Sequence, residues 1–136
     1  MAQERVYEFM SPQELCSVMQ ELGFRTTLET APSGTPIIKS SAGGHKFIVC
    51  MYKQSGEPNF STAEIFWGFS GASTRSEYTN NWNRTKRFTK AYIDGDGDPC
   101  MEFDIMPGGV TNRYLRDCFG IWEAALGMFS NELLRA

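Results

Sequence analysis

The densest group of acids in the chain lies at positions 94–98, where Asp alternates with Gly in the run Asp-Gly-Asp-Gly-Asp. This alternation matches the opening ligand positions of a calcium-binding EF-hand loop, which also requires Gly at its sixth position and Glu at its twelfth. Those two positions hold Pro99 and Ile105, and the flanking residues have strand patterns where an EF-hand needs helices. Because Asp-Gly pairs suit tight turns, we predict a hairpin turn and no metal site.

Two further acids, Glu102 and Asp104, could form a pair of carboxylates for acid–base catalysis. Their spacing of two places both on one side of a strand. The alternation with apolar residues at 101, 103 and 105 predicts that this side faces water. Solvated carboxylates keep ordinary pKa values and lack the burial that makes a good general acid. We therefore predict no catalytic role for this pair.

His45 is the one histidine in the sequence, so any catalytic triad or Cys-His pair would have to use it. It follows the glycine pair at 43–44, but the chain has neither a GxSxG elbow nor a phosphate-binding glycine motif. We interpret His45 as a residue that leaves a turn and enters a strand. The sequence predicts no catalytic residues and no cofactor.

A basic segment with interleaved aromatic residues resembles a surface that stacks bases and holds phosphates. A helix over residues 76–88 would scatter these charges and place Trp82 on its packed side. The net charge of −3 also opposes a dedicated nucleic-acid binder. We interpret the segment as a solvated helix face and expect no nucleic-acid partner. The residues of this segment that remain candidates for binding are Arg84, Lys86, Arg87 and Lys90.

The composition is that of one globular domain spanning residues 1–136. Apolar residues make up 41% and charged residues 21%, and a chain of 136 residues can bury a core without disulfides or metal. No apolar run approaches the length of a membrane span, and we expect a cytoplasmic protein. Four scattered cysteines are predicted to be buried free thiols: Cys16, Cys50, Cys100 and Cys118.

The elements that must position these residues follow from capping signals and periodicity. Ser11, Pro12 and Glu14 predict a helix start with a capping box. The predicted order is a helix from 11 to 22, strands at 24–30, 36–41, 45–53 and 63–70, a short helix at 76–88, a hairpin at 89–94 and 100–106, and a long helix capped by Thr111. The fold class is α+β, with a mainly antiparallel sheet.

Two features raise the question of a partner. The strand at 45–53 is apolar on both faces, so it is either a central strand covered on both sides or a strand with one face meeting a partner. On the last helix, small residues recur at intervals of four and three. Packing on the sheet of the same domain is the first interpretation of this stripe, and a homodimer interface is the alternative. The stripe consists of Gly120, Ala124 and Gly127.

Three segments together resemble the YbjN family of bacterial proteins, which is described as regulators of sensory transduction. They are the helix with Asn80-x-x-Asn83, the hairpin Asp-Gly-Asp-Gly-Asp-Pro at 94–99, and Gly108-Gly109-Val110-Thr111 before the last helix. The resemblance extends from about Ser11 to Phe129, which it implies as the core of the domain, about 11–129. It implies a fold like that of type III secretion chaperones, often dimeric, and it brings no catalytic residues.

Three functions stay open. The leading hypothesis is a non-enzymatic regulatory or chaperone-like module with a protein partner or client, and with no membrane partner. The second is a small-ligand or metal sensor, or an enzyme, that uses Asp94, Asp96, Glu102 and His45. The third is weak nucleic-acid binding through residues 84–90.

Overall fold

The computed structural model describes residues 5–71 and 74–135. Within these residues the chain forms three helices and eight strands. In chain order they are β1 (Val6–Tyr7), α1 (Pro12–Glu21), β2 (Thr27–Thr30), β3 (Pro36–Ala42), β4 (His45–Tyr52), β5 (Thr62–Gly68), α2 (Ser76–Thr85), β6 (Lys90–Ile93), β7 (Pro99–Ile105), β8 (Val110–Thr111) and α3 (Asn112–Arg135). This arrangement confirms the predicted α+β class.

Six of the strands form one antiparallel sheet in the order β2-β3-β4-β5-β7-β6. The four strands from β2 to β5 follow one another as neighbours in both sequence and space. The hairpin of β6 and β7 then joins through β7, so that β7 is an interior strand and β6 is an edge. The two-residue strands β1 and β8 pair separately, and the sequence did not predict either of them.

The start of α1 follows the predicted capping box. Ser11 Oγ accepts a hydrogen bond from the Glu14 amide at 3.1 Å, and the Glu14 carboxylate accepts one from the Ser11 amide at 3.2 Å. At the other end, Gly23 adopts a φ of +98°. There the amide of Phe24 donates to the Met19 carbonyl and that of Gly23 to the Gln20 carbonyl, as in a Schellman motif. This motif holds residue 24 at the helix end, and β2 starts at residue 27 where the sequence predicted 24.

The helices all contribute to one hydrophobic core on one side of the sheet, which we call the inner face. The Trp122 ring of α3 lies 5.7 Å from the Phe47 ring of β4, and the Phe129 ring lies 5.7 Å from Trp67 of β5 and 5.0 Å from Trp82 of α2. Trp82 is 2% exposed, which confirms its predicted place in the core.

The helix α2 is shorter than predicted, because it ends at Thr85 and not at Phe88. Phe88 has a φ of 75°, which a helix does not accommodate. The Trp82 Nε1 group donates to Thr89 Oγ1 at 3.1 Å and thereby links the helix to the start of the next strand. This early end determines where the basic residues lie.

Several other predictions are confirmed. All four cysteines are buried and free. Thr111 caps α3, because its Oγ1 accepts a hydrogen bond from the Tyr114 amide at 3.1 Å. Of the helices that the structure describes, none combines the length and the apolar composition needed to cross a membrane.

Candidate binding face on the outer side of the sheet

The side of the sheet opposite the helices, which we call the outer face, carries an apolar centre. Ile48 of β4 and Phe66 of β5 are direct cross-strand neighbours, and both are half-buried. Further apolar side chains surround this pair, and none of them belongs to the core cluster of the described residues. The apolar and aromatic residues of the outer face are Ile37, Ile48, Tyr52, Phe66 and Tyr92.

This arrangement decides between the two interpretations of the strand at 45–53. Phe47 and Val49 point into the core and are 2% and 0% exposed. Tyr52 on the outer side is 43% exposed. Within the described residues no helix packs on this second face, although Cys50 is 8% exposed among its neighbours, so the outer side of the strand is open only in part. The other interpretation, a face that meets a partner, remains a prediction.

A hollow of about 370 Å³ lies beside the apolar pair, lined by residues that include Lys39, Lys46, Ile48, Phe66 and Gly68. Gly68 contributes to its shape, because a Cβ at this position would lie 3.2 Å from the Phe66 ring. The absent side chain lets the ring lie over the glycine backbone. The hollow is therefore apolar at its base, with two lysines among its walls.

Acidic residues occupy the opposite side of the outer face, and one of them corrects a prediction. Glu102 is only 8% exposed, whereas the sequence predicted a solvated carboxylate. Tyr92 donates a hydrogen bond to Glu102 Oε1 at 2.5 Å, and Lys90 Nζ lies 3.0 Å from Oε2. Both partners belong to the edge strand β6, which covers Glu102. Asp104 is exposed, as predicted.

The carboxylates on this acidic side of the outer face repel one another. Glu64 of β5 lies directly opposite Asp104 of β7, and burial together with the charges of Glu102 and Asp104 raises the pKa of Glu64. The hydrogen bond to Glu102 and its charge raise the pKa of Lys90. Burial, together with the neighbouring Cys50 and Glu64, raises the pKa of Tyr52 to about 12. A cation brought by a partner would relieve the repulsion around Glu64.

The basic residues at positions 84–90 do not share one helix face, which corrects the interpretation drawn from the sequence. Arg84 is in α2 and donates to Asn81 at 2.8 Å. Lys86 lies beyond the helix with its Nζ 5.6 Å from the Trp82 ring, and Arg87 stacks on Phe88 at 4.9 Å. Lys90 lies on β6, where it pairs with Glu102. The four binding candidates therefore lie on three different parts of the chain: the helix α2, the loop after it and the strand β6.

The acidic turn has the predicted hairpin geometry. Asp94 Oδ1 accepts hydrogen bonds from the amides of Asp96 and Asp98, each at 2.9 Å, and these contacts lower the pKa of Asp94. Asp98 accepts from the Gly71 amide at 3.2 Å. Ligand atoms of the three aspartates lie within 4.8 Å of one another. Their hydrogen bonds within the turn and to residue 71 account for that closeness.

His45 begins β4, as predicted, and its ring lies 5.9 Å from the Trp67 ring. It lines a cavity of about 260 Å³ with residues of α3 that include Glu123 and Ser130. The strands β5 and β7 separate β4 from β6, so about 14 Å lies between His45's strand and the strand that leads into Asp94. The structure does not assemble His45, Glu102 and the aspartates into one site.

Residues 11–135 match the YbjN family, whose description is "Putative bacterial sensory transduction regulator". The chain belongs to this family. None of the curated proteins and none of the solved structures matches it. The family description is that of a regulator and not of an enzyme, which supports a regulatory or binding role at the level of the family.

In this chain, side chains and amides of the segments that carry the resemblance to the YbjN family form hydrogen bonds that stabilise the fold. The side chain of Asn83 forms two hydrogen bonds with the backbone of Ala91, as donor to the carbonyl at 2.9 Å and as acceptor from the amide at 2.8 Å. Asn83 thereby occupies the free edge of β6, where another strand could otherwise pair. The motif signalled that this asparagine has a specific role, but only the sheet order showed which one.

The glycine pair before α3 is a second such segment. Gly109 has a φ of +70°, and its amide donates to the carbonyls of Tyr7 and Glu8. Val110 and Thr111 then form β8 against β1. These contacts attach the N-terminal strand to the start of the last helix. In this chain, Asn83 and the glycine pair therefore stabilise the fold through contacts with the backbone.

The stripe of small residues on α3 does not pack on the sheet, which corrects the first interpretation from the sequence. Gly120 and Ala124 are exposed, and Gly127 is half-buried. A Cβ at either glycine would meet nothing within 4 Å. The broad apolar side of α3, with Phe119, Trp122 and Phe129, points to the core instead. The alternative, a homodimer contact at this stripe, stays a prediction.

Proposed function

We propose that this member of the YbjN family is a non-enzymatic regulatory module that acts by binding a protein partner on the outer face of its sheet. The observation that carries the proposal is the uncovered apolar pair of Ile48 and Phe66 at the centre of that face. Fully burying such side chains contributes roughly 1.5–3 kcal/mol each. Because both are half-buried in the free chain, a partner would gain a part of this free energy.

The shape of the face favours a flat or extended partner. Side chains of a sheet project from regularly spaced rows, and the hollow beside Phe66 offers a place for one apolar side chain of the partner. The lysines and acids around the centre would then select the partner by charge. We propose in particular a chaperone-like mode, in which an extended segment of a client protein lies along these rows.

The absence of an enzymatic function belongs to the same proposal. The acids, the histidine and the basic residues that chemistry would need are distributed over different strands and loops of the described chain. Four buried free thiols suit a reducing compartment, and we propose a cytoplasmic location on that basis.

Crosslinking from defined positions tests the proposal. A photo-crosslinking amino acid at position 66 should capture a protein partner in cells that express the chain, whereas the same residue at Met128 should capture none. Met128 is a matched control because it is an apolar residue of α3 that is 45% exposed. Equal capture at both positions, or none at position 66, would contradict the use of the outer face.

The variant Phe66→Ser gives the second arm of this test. It should lose the captured partner while its thermal unfolding stays close to that of the parent, because Phe66 lies outside the core cluster. Met128→Ser should retain the partner. A Phe66→Ser protein that keeps the partner at full affinity would be evidence against this surface.

A further inference from the structure

The hollow beside Phe66 exists because one position of the outer face has no side chain. Gly68 follows Phe66 by two residues on β5, so it is the next residue of that strand on the same face. Continuing the register that pairs Ile48 with Phe66 sets Lys46 across from Gly68. The hollow of about 370 Å³ is lined by this glycine together with Lys46, Ile48 and Phe66.

The volume of the hollow suits a whole small molecule. Ligand pockets in proteins usually measure about 300–1,000 Å³, and the hollow is at the lower end of that range. At the roughly 30 Å³ that one molecule occupies in liquid water, it holds about twelve non-hydrogen atoms. Its apolar contacts come from Ile48 and Phe66, which are both half-buried and outside the core cluster. The body of an occupant must therefore be apolar.

The charges around the hollow favour an anion. Of the two lysines that line it, Lys39 lies 2.7 Å from Glu29. Lys46 is exposed and has no ion-pair partner in the described part of the chain. Glu64 stands at the opposite end of the antiparallel pair β4 and β5, four residues and one strand away from Lys46, or about 14 Å. A negative group is therefore attracted to the hollow, and a positive group to the far end of the face.

We propose that the hollow binds a small organic carboxylate whose body is aromatic or alkyl. The carboxylate lies at the ammonium group of Lys46, and the body lies over Gly68 against the Phe66 ring. An aromatic body packs there edge to face or offset, as aromatic pairs prefer. One lysine without an ion-pair partner matches a single negative charge, and the carboxylates elsewhere on the outer face disfavour an anion of higher charge.

This site goes beyond the proposed function, because its occupant is a free small molecule and not a protein. The hollow is nevertheless part of the face to which we assign the protein partner, so only one of the two occupies it at a time. That consequence rests on the proposed function, and it makes the carboxylate a signal that releases the partner. The binding site itself rests only on the hollow, its lysine and its apolar lining.

The binding test uses 3-phenylpropanoate, in which a short alkyl chain joins a benzene ring to one carboxylate. It is titrated into the purified chain, and the backbone amide signals are followed by NMR. Because a ligand of about twelve non-hydrogen atoms reaches a Kd on the order of 1 mM in a partly open hollow, we expect saturable shifts at millimolar concentrations, centred on residues 46–48 and 66–68. Two probes of the same shape test the charge: 3-phenylpropanamide is neutral, and 3-phenylpropylamine is a cation. Each should bind at least about fivefold more weakly than the carboxylate.

Two pairs of variants test the named residues. Lys46→Gln should weaken the binding of 3-phenylpropanoate by about fivefold, whereas Lys53→Gln should not change it. Lys53 is a matched control because it is an exposed lysine just beyond the other end of β4. Gly68→Leu should fill the hollow and abolish saturable binding, whereas Gly120→Leu on the open stripe of α3 should retain it. Thermal unfolding checks the fold of each variant, and if Gly68→Leu does not fold, the exposed Lys46 decides alone.

Saturable binding that prefers the carboxylate and depends on Lys46 supports the proposal. Equal binding of the three probes overturns it, as does a Lys46→Gln protein that binds as tightly as the parent. Shifts centred elsewhere, such as around His45 in its own cavity, or no saturable shift up to about 20 mM, well above the expected Kd, overturn it too. Because the titration contains no protein partner, its failure leaves the crosslinking from position 66 unaffected. Conversely, a failure of that crosslinking leaves the NMR result for the carboxylate intact.

Discussion

The two faces of the sheet differ in what covers them, although the strands that form them are similarly apolar. On β4, the inner side chains Phe47, Val49 and Met51 are 2%, 0% and 1% exposed. The outer side chains of the same strand are less uniform, because Cys50 is 8% exposed, Ile48 is half-buried and Tyr52 is 43% exposed. An apolar residue on each side of a strand therefore indicates a surface that can be buried, but not which molecule buries it.

The faces also differ in charge, and this difference limits what can cover the outer one. The inner face has almost no polar side chains in the described residues, apart from groups such as Ser40, whose Oγ has no hydrogen-bond partner. The outer face carries lysines and carboxylates beside its apolar centre. Burying an unpaired charge is costly, so an apolar partner alone would not suffice. The protein partner that we propose for the outer face would therefore have to supply opposite charges.

The largest expected effect is on the free energy of unfolding, to which the inner face should contribute much more than the outer face. Phe129 is fully buried, and its ring contacts those of Trp67, Tyr78 and Trp82. Phe129→Ala should lower the free energy of unfolding by about 3–5 kcal/mol, because it removes apolar contacts and leaves a cavity. Phe66→Ala should cost under about 1.5 kcal/mol, because its ring is outside the core. Urea unfolding measures both.

Equal losses in the two variants would contradict this division of the sheet. They would mean that Phe66 is as well packed in the free chain as Phe129. The urea experiment needs the purified chain, since a bound partner would stabilise the parent and enlarge the apparent cost of Phe66→Ala.

Local signals allowed much of the fold to be predicted. The capping box at Ser11 and Glu14 and the cap at Thr111 depend on contacts over three residues, so the sequence alone identifies them. The alternation on β4 predicted its two faces correctly, because side chains in a strand alternate with a period of two. The acidic turn could also be predicted from local signals, because Asp94 accepts its hydrogen bonds from residues 96, 98 and 100.

Long-range contacts explain what the sequence could not predict. The burial of Glu102 depends on Tyr92 and Lys90 of the neighbouring strand, and no pattern within 100–106 records that cover. The end of α2 at Thr85 depends on the link from Trp82 to Thr89. The apolar centre of the outer face required the register that sets Ile48 beside Phe66, which emerges only when the sheet is assembled.

The second largest expected effect concerns the edge strand β6, whose backbone at Ala91 is hydrogen-bonded to the side chain of Asn83. Asn83→Ala removes both hydrogen-bond partners of the Ala91 backbone and should cost about 1–3 kcal/mol. Because the edge of β6 is then open, we also expect faster aggregation on warming. Thermal unfolding followed by light scattering measures both effects.

A matched control for this variant is Asn80→Ala, three residues earlier on the same helix and exposed. It should change the free energy of unfolding by less than about 0.5 kcal/mol. Asn83→Asp keeps the acceptor for the Ala91 amide and loses the donor, so its cost should fall between the two. If Asn83→Ala behaves like Asn80→Ala, water replaces the side chain and the edge of β6 does not depend on it.

The smallest expected effect concerns the pH dependence of stability at Glu64. Burial and the neighbouring carboxylates raise its pKa in the folded state above its value in the unfolded chain. The folded state therefore gains stability while Glu64 is protonated and loses it as the pH rises through the raised pKa. Glu64→Gln, which resembles the protonated form, should raise the melting temperature near pH 7. The difference should become small below about pH 4, as Glu64 becomes protonated in the unfolded chain as well.

The same variant distinguishes a free outer face from an occupied one. In the free chain the surrounding acids make Glu64→Gln stabilising, with Glu57→Gln in the exposed loop after β4 as the control for a lost charge. A protein partner that brings a cation close to Glu64 would stabilise the ionised carboxylate, and Glu64→Gln would then weaken the complex. The sign of the change at pH 7 should therefore reverse between the free chain and the complex. A stabilising effect that persists when the captured partner is bound would place the contact elsewhere.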